Sequence, residues 1–233
     1  MRQPRVGFRL ELRRAHALPL VAFDLREQPP QPVELLRNRP RTGAGDRIAA
    51  RDIHGVFGYN GASLHEPGAM TDTTDEGLRD LASALGEQLA AKRLTLCTAE
   101  SCTGGWIAKT VTDIAGSSAW FDCGLAAYSY EAKQALLGVR PETLENFGAV
   151  SRETVIEMVS GALVHSGAGV AVAVTGIAGP GGGSDDKPVG TVWIAWKRRG
   201  GYARAQAFRF DGDRESVRRQ TVAAALEGIG QHL

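Results

Sequence analysis

One heptapeptide constrains this chain more than any other. Residues Gly169-Val-Ala-Val-Ala-Val-Thr175 form an apolar run with no polar face. A strand that alternates only valine and alanine has no side to offer to water, so it belongs at the centre of a sheet covered by helices on both faces. The flanking sequence supplies those helices. Leu78, Leu81, Leu85 and Leu89 fall on one face of a helix. Thr73 and Glu76 open it with capping-box spacing, and Lys92-Arg93 suit its C-terminal end. A short apolar strand over Leu94 to Thr98 precedes a Gly-rich turn and a helix from Trp106 to about Ala115. A strand from Trp120 to Ser129 and short helices over 131–137 and 141–147 follow. Ser151 then caps a helix reaching Ser166, with Val155, Met158, Val159, Ala162 and Leu163 inward. Strands over 191–197 and 202–210 come next, and the second alternates as an antiparallel strand near an edge does. Asp213 caps a last helix to about Gln231. Alternation of helices and strands predicts an α/β fold: a three-layer α/β/α sandwich around a mixed, mostly parallel sheet.

Charge divides the chain in two. Residues 1–69 carry eleven arginines, no lysine, seven acidic groups and seven of the ten prolines, for a net of +4. Residues 70–233 carry sixteen basic and nineteen acidic groups, for a net of −3, which together give the overall +1. The first segment shows no sustained hydrophobic period. It reads as a disordered extension, or as upstream sequence before a true start at Met70. The second reads as one domain.

Several function classes are disfavoured. No apolar run approaches the roughly 18 residues of a membrane span. The three cysteines, Cys97, Cys102 and Cys123, are too few for a disulfide framework, so a reducing cytoplasm is the expected setting. No Cys/His cluster has zinc spacing. A near-zero net charge gives no support for nucleic acid as the main partner. The five histidines are scattered, which argues against a Ser-His-Asp triad.

The chemistry candidates lie where strands end. Ser101, within Ala99-Glu-Ser-Cys-Thr-Gly-Gly105, sits at a strand-to-helix turn. There it is either an N-cap serving its own helix or a serine beside amides able to hold an oxyanion. Cys102 reads as a small buried residue. Lys133, within Tyr128-Ser-Tyr-Glu-Ala-Lys133, is one of only five lysines. Buried, it loses its proton and becomes a general base with Tyr128 relaying or stabilising a proton; solvated, it is an ordinary helix residue. The loop Gly176 to Gly190, opening Thr175-Gly-Ile-Ala-Gly-Pro180, has the glycines that let backbone approach a phosphate or sugar, or is simply mobile. Arg214 and Arg218 stand at a helix start, where a cation opposes the dipole, so they serve either a phosphate or a surface ion pair.

Taken together, these runs resemble the signature of the CinA C-terminal domain family, the nicotinamide-nucleotide amidases. The matching motifs are Thr98-Ala-Glu-Ser-Cys-Thr-Gly-Gly105, Tyr128-Ser-Tyr-Glu-Ala-Lys133, Leu137-Gly-Val139 and Gly148-Ala-Val-Ser151. Thr175-Gly-Ile-Ala-Gly-Pro180, Lys187-Pro-Val-Gly-Thr-Val192 and Gly212-Asp-Arg-Glu-Ser-Val-Arg218 complete the set, in order from about Thr73 to the C-terminus. The resemblance implies hydrolysis of the carboxamide of nicotinamide mononucleotide, giving nicotinate mononucleotide and ammonia, in pyridine nucleotide salvage. It implies a homodimer and calls for no metal or cofactor.

Carried over residue by residue, the resemblance makes Ser101, Lys133 and Tyr128 the catalytic group. Backbone amides from Cys102 through Thr103, Gly104 and Gly105 hold the oxyanion. Thr175, Gly176 and Gly179 hold the nucleotide, and Arg214 or Arg218 its phosphate. Tyr130 stands where many relatives have asparagine. Residues 1–69 are too short for the molybdopterin-binding-like domain that many such proteins carry. The competing reading is a nucleotide-binding or competence-related regulatory module without catalysis.

Overall fold

The computed structural model describes residues 71–232. The expectations for residues 1–69 and for a start at Met70 fall outside the described residues. Five strands form one sheet: β1 (Leu96–Glu100), β2 (Phe121–Ala126), β3 (Val170–Gly176), β4 (Thr191–Arg198) and β5 (Arg204–Arg209). Their spatial order is β2-β1-β3-β4-β5. β1 is parallel to both β2 and β3, while β4 is antiparallel to β3 and to β5. Four strands therefore share one direction and β4 alone runs against them. The all-apolar run is the middle strand, and the alternating β5 is an antiparallel edge, as its pattern requires.

Helices α1 (Asp75–Ala91), α2 (Trp106–Thr112) and α6 (Arg214–Gln231) cover one face. Helices α3 (Tyr130–Leu137), α4 (Pro141–Phe147) and α5 (Arg152–Val164) cover the other. The period of a strand shows directly in β3. Val170, Val172 and Val174 enter the core beneath α1 and α6, and Ala171 and Ala173 enter the core beneath α5. Small residues on the α5 side let that helix lie close. Close approach recurs between α3 and α5, where a Cβ on Gly161 would stand 1.8 Å from the Leu137 carbonyl oxygen.

Several element ends differ from the sequence expectation. The cap of α1 is Thr74 rather than Thr73: its Oγ1 accepts from Gly77 N at 3.1 Å, while Asp72 Oδ1 accepts from Thr74 N at 2.9 Å. The Asp72 bond fixes the turn that puts Thr74, not its neighbour, on the open amides. β1 starts two residues later than expected and continues through Glu100, because Ala99 and Glu100 still pair with strands on both sides. α2 stops at Thr112, where Asp113 takes the C-cap and pairs with Lys109. β2 stops at Ala126, three residues before Ser129, which instead caps α3 with its Oγ on Ala132 N at 3.1 Å. The caps at Ser151 and Asp213 stand where the sequence places them.

The α3–α5 contact makes a testable prediction. Gly161→Ala forces a methyl into a carbonyl oxygen, and overpacking of this kind costs about 2 kcal/mol or more. Thermal denaturation followed by circular dichroism is expected to show a midpoint lowered by roughly 5 °C or more.

Candidate active site

The turn after β1 is built around one buried carboxylate. Glu100 is 1% exposed. Its Oε2 accepts from Thr103 Oγ1 at 2.7 Å, Gly105 N at 3.0 Å and Ile107 N at 3.0 Å. Its Oε1 accepts from Ala108 N at 2.8 Å and Thr98 Oγ1 at 3.1 Å. Helix α2 has no side-chain cap from its N-cap residue, Gly105. Glu100 satisfies its first amides instead, and a carboxylate suits the positive end of a helix. Gly104 and Gly105 at φ +63° and +94° let the chain turn this tightly.

Ser101 follows and turns to the other face of the sheet. Its N–H donates to Val174 O at 3.1 Å, which closes the seam between β1 and β3. Its carbonyl accepts from Gly104 N at 3.1 Å. Gly105 N is held by Glu100, so two of the four amides expected to hold an oxyanion are already engaged. The N–H groups of Cys102 and Thr103 have no oxygen acceptor among the described residues. The Ser101 hydroxyl does not cap α2. It accepts a hydrogen bond from Lys133.

Lys133 lies one turn into α3 and is 1% exposed. Its Nζ donates to Ser101 Oγ, Ala127 O and Tyr128 O, each at 3.0 Å. No carboxylate is within ion-pair distance of it among the described residues. Burial pushes its pKa down from 10.5, opposed only weakly by the Cys102 thiol. The arrangement suits a neutral amine. In a neutral amine the two hydrogens go to the two carbonyls, and the Ser101 contact reverses so that the hydroxyl donates to the lone pair. Ser101 and Lys133 are thus a candidate nucleophile and base.

The remaining expected residues divide between the pair and a cleft beside it. Tyr128 contributes its carbonyl to Lys133, while its phenol is 63% exposed and meets Arg214 Nη2 at 3.3 Å. Arg214 Nη1 donates to Gly179 O at 2.9 Å, so this guanidinium joins the β2–α3 connection to the Gly-rich loop. Arg218 holds the turn itself, with Nε on Cys102 O at 3.1 Å and Nη2 on Thr103 O at 2.8 Å, above the Trp106 ring. The turn, residues 178–180 and the start of α6 line a cleft of about 1190 Å³. Ser101 and Lys133 are not among its lining residues; Thr103, Gly104 and Gly105 are, so pair and cleft share the turn. Thr175 is buried, and its hydroxyl donates to Ala149 O at 2.8 Å rather than facing the cleft. Gly176 packs against Val192 of β4, and Gly179 takes φ +83°. Cys102 is buried, with burial pushing its thiol up to about 12, so it is no nucleophile.

Two features escaped the sequence reading. One is Glu100. The other is the pinned segment 147–151 beside Thr175. Lys187 Nζ holds Phe147 O at 2.9 Å, Ser151 and Thr154 hold Gly148 O, and the Tyr130 hydroxyl accepts from Ala149 N at 3.3 Å. Spacing carries no sign of either. The motif Gly148-Ala-Val-Ser151 was the only signal for the second. Among the described residues no group of three His, Cys, Asp or Glu side chains could hold a metal ion, and no helix is long and apolar enough to cross a membrane.

Comparison with known proteins identifies the family. The model of the CinA C-terminal domain matches residues 78–233. The chain belongs to the CinA C-terminal domain family. It is 52% identical over 158 residues to nicotinamide-nucleotide amidohydrolase PncC of Escherichia coli K12, covering 68% of this chain and 96% of that protein. It is 54% identical over 151 residues to the protein of the same name from Pseudomonas putida, covering 65% and 94%. Among solved structures, it resembles the competence/damage inducible protein CihA of Agrobacterium tumefaciens. That match has 47% identity and a TM-score of 0.65, and covers 70% of this chain and 97% of the other.

The buried amine generates a pH prediction. Between its lowered native pKa and 10.5, Lys133 binds fewer protons folded than unfolded, so its contribution to stability rises with pH across that window. The thiols of Cys97 and Cys102, raised to about 11 and about 12, act oppositely: their contribution is full below 9.0 and is lost as pH climbs toward those values. Subtracting the stability of Lys133→Met from that of the wild type cancels the thiols. Urea denaturation from neutral pH to 10.5 is expected to show that difference moving in favour of the wild type as pH rises.

Proposed function

We propose that this chain is an amidohydrolase that converts nicotinamide mononucleotide to nicotinate mononucleotide and ammonia, and that residues 70–233 carry the reaction. The observation that carries this reading is the 3.0 Å contact between Ser101 Oγ and a buried lysine with no acidic partner. That contact supplies nucleophile and base together. The names of the relatives supply the substrate.

In this scheme the neutral Lys133 amine takes the Ser101 proton as Oγ attacks the carboxamide carbon. The carbonyl oxygen gathers charge and is met by the Cys102 and Thr103 N–H groups, whose acceptor among the described residues is the weak one of the Cys102 sulfur. The proton on Lys133 passes to the amide nitrogen, the C–N bond breaks and ammonia leaves. Water, activated by the same amine, then cleaves the ester on Ser101 and releases the carboxylate product. Arg214 and Arg218 each hold two acceptors and both line the cleft, and Arg214, joined to the Gly-rich loop at Gly179, is the phosphate ligand in this scheme. The Tyr128 phenol accepts from Arg214, while its carbonyl helps orient the amine.

A binding module without catalysis would take up the mononucleotide and release no ammonia. Ammonia release by purified protein, measured beside Ser101→Ala and Lys133→Ala, is therefore decisive. Turnover by the wild type and losses of about 100-fold or more in both variants are expected. Binding without turnover in the wild type would give the site to the module instead.

A further inference from the structure

Glu100 is the most completely coordinated polar side chain near the site, and the catalytic scheme does not use it. It cannot be the base. Five donors occupy its two oxygens, and a carboxylate offers about four lone-pair positions. It also faces α2, whereas the adjacent Ser101 faces Lys133 of α3.

Its bonds nevertheless decide which amides of the turn are free. Holding Gly105 N, Ile107 N and Ala108 N fixes where α2 begins. Holding Thr103 Oγ1 at 2.7 Å draws the middle of the turn toward the α2 face. Arg218 pulls the Cys102 and Thr103 carbonyls toward α6 from the same region. A peptide unit whose carbonyl is held one way must aim its N–H the other way, because the unit is planar and trans. The Cys102 carbonyl shares its peptide plane with the Thr103 N–H, so the Arg218 bond orients that amide directly. Glu100 and Arg218 thus grip the turn from two sides and leave two amides without an oxygen acceptor among the described residues, their partner being the weakly accepting Cys102 sulfur.

We propose that Glu100 is a positioning residue: its five-fold hydrogen-bonded side chain presets the 101–105 turn so that the Cys102 and Thr103 amides are aimed at the developing oxyanion. The inference rests on the amidase reading above. Glutamine at this position keeps the shape but has one oxygen and an NH2 group, which would oppose the incoming amides. Loss of preset donors is felt in the transition state and not in ground-state binding, so it lowers kcat with little change in KM.

The experiment compares three variants by steady-state kinetics on nicotinamide mononucleotide. Glu100→Gln is expected to lose about 100-fold in kcat with KM within a few-fold of wild type. Thr103→Val and Thr98→Val each remove one hydroxyl donor from the same carboxylate, and both side chains are fully buried, so neither touches substrate. Thr103 belongs to the turn and Thr98 to the strand. Thr103→Val is expected to lower kcat about 10-fold, and Thr98→Val to leave it within about twofold despite a similar loss of thermal stability. This pair still decides the matter if Glu100→Gln does not fold. Equal kcat losses in the two threonine variants, or unchanged kcat in both Glu100→Gln and Thr103→Val, would overturn the proposal. If the wild type releases no ammonia, the amidase reading fails separately. The rate at which a fluorophosphonate labels Ser101 in the same variants then decides: slower labelling in Thr103→Val than in Thr98→Val supports the role of Glu100, and equal rates refute it.

Discussion

Three oxygens surround the Lys133 amine, and none of them carries a charge. Two are main-chain carbonyls of the β2–α3 connection and the third is the Ser101 hydroxyl. An ammonium in such a place gives up its hydration without gaining a counter-ion, so burial pushes the lysine's pKa down from 10.5. Much of the fold is arranged to keep it there. α3 must start at Ser129 for Lys133 to reach inward, and its end must meet α5 closely enough that only glycine fits at 161. Ser101 must leave β1 on the α3 side, which follows from Glu100 leaving it on the α2 side.

The site's location follows from the order of the strands. The chain leaves β1 for α2 on one face and reaches β3 from α5 on the other, so the carboxyl ends of these neighbouring parallel strands lie where the crossovers diverge. A crevice opens at such a point in open α/β sheets. Here the Ser101 N–H to Val174 O bond spans the seam, and the two sides of the sheet take different tasks. Residues on the α3/α5 side hold Lys133 against Ser101, the proposed base and nucleophile. Residues on the α2/α6 side supply the turn's support and the lining of the large cleft.

Much of this was legible in the sequence because it follows from short-range pattern. The valine–alanine run could only be a central strand, and the caps at Ser151 and Asp213 obey local hydrogen-bond rules. The cap at Thr74 was missed by one residue because two threonines stand together and the Asp72 side chain chooses between them. Site geometry was harder. The motifs brought Ser101 and Lys133 into one group, but spacing cannot show that the tyrosine in that group would meet the lysine through its carbonyl while its phenol turned to Arg214. Nor can it show that a glutamate at the end of an apolar strand would be buried. A lone acidic residue there reads as the strand's polar end. Only the fold brings the three amides and two hydroxyls that make its burial favourable. The contacts of Arg214 and Arg218 separate for the same reason: both open one helix, and only the tertiary structure shows that Arg218 clamps the turn while Arg214 joins the β2–α3 connection to the Gly-rich loop.

The central claim is that Lys133 is a neutral amine poised on Ser101. It is tested most directly by nuclear magnetic resonance titration of the lysine side chains in selectively labelled protein. With only five lysines, Lys133→Met identifies the resonance of interest by its disappearance. The account predicts that the Lys133 signal titrates clearly below 10.5. A Lys133 signal that titrates at or above 10.5 would mean a permanently charged ammonium in the site, and would contradict the account.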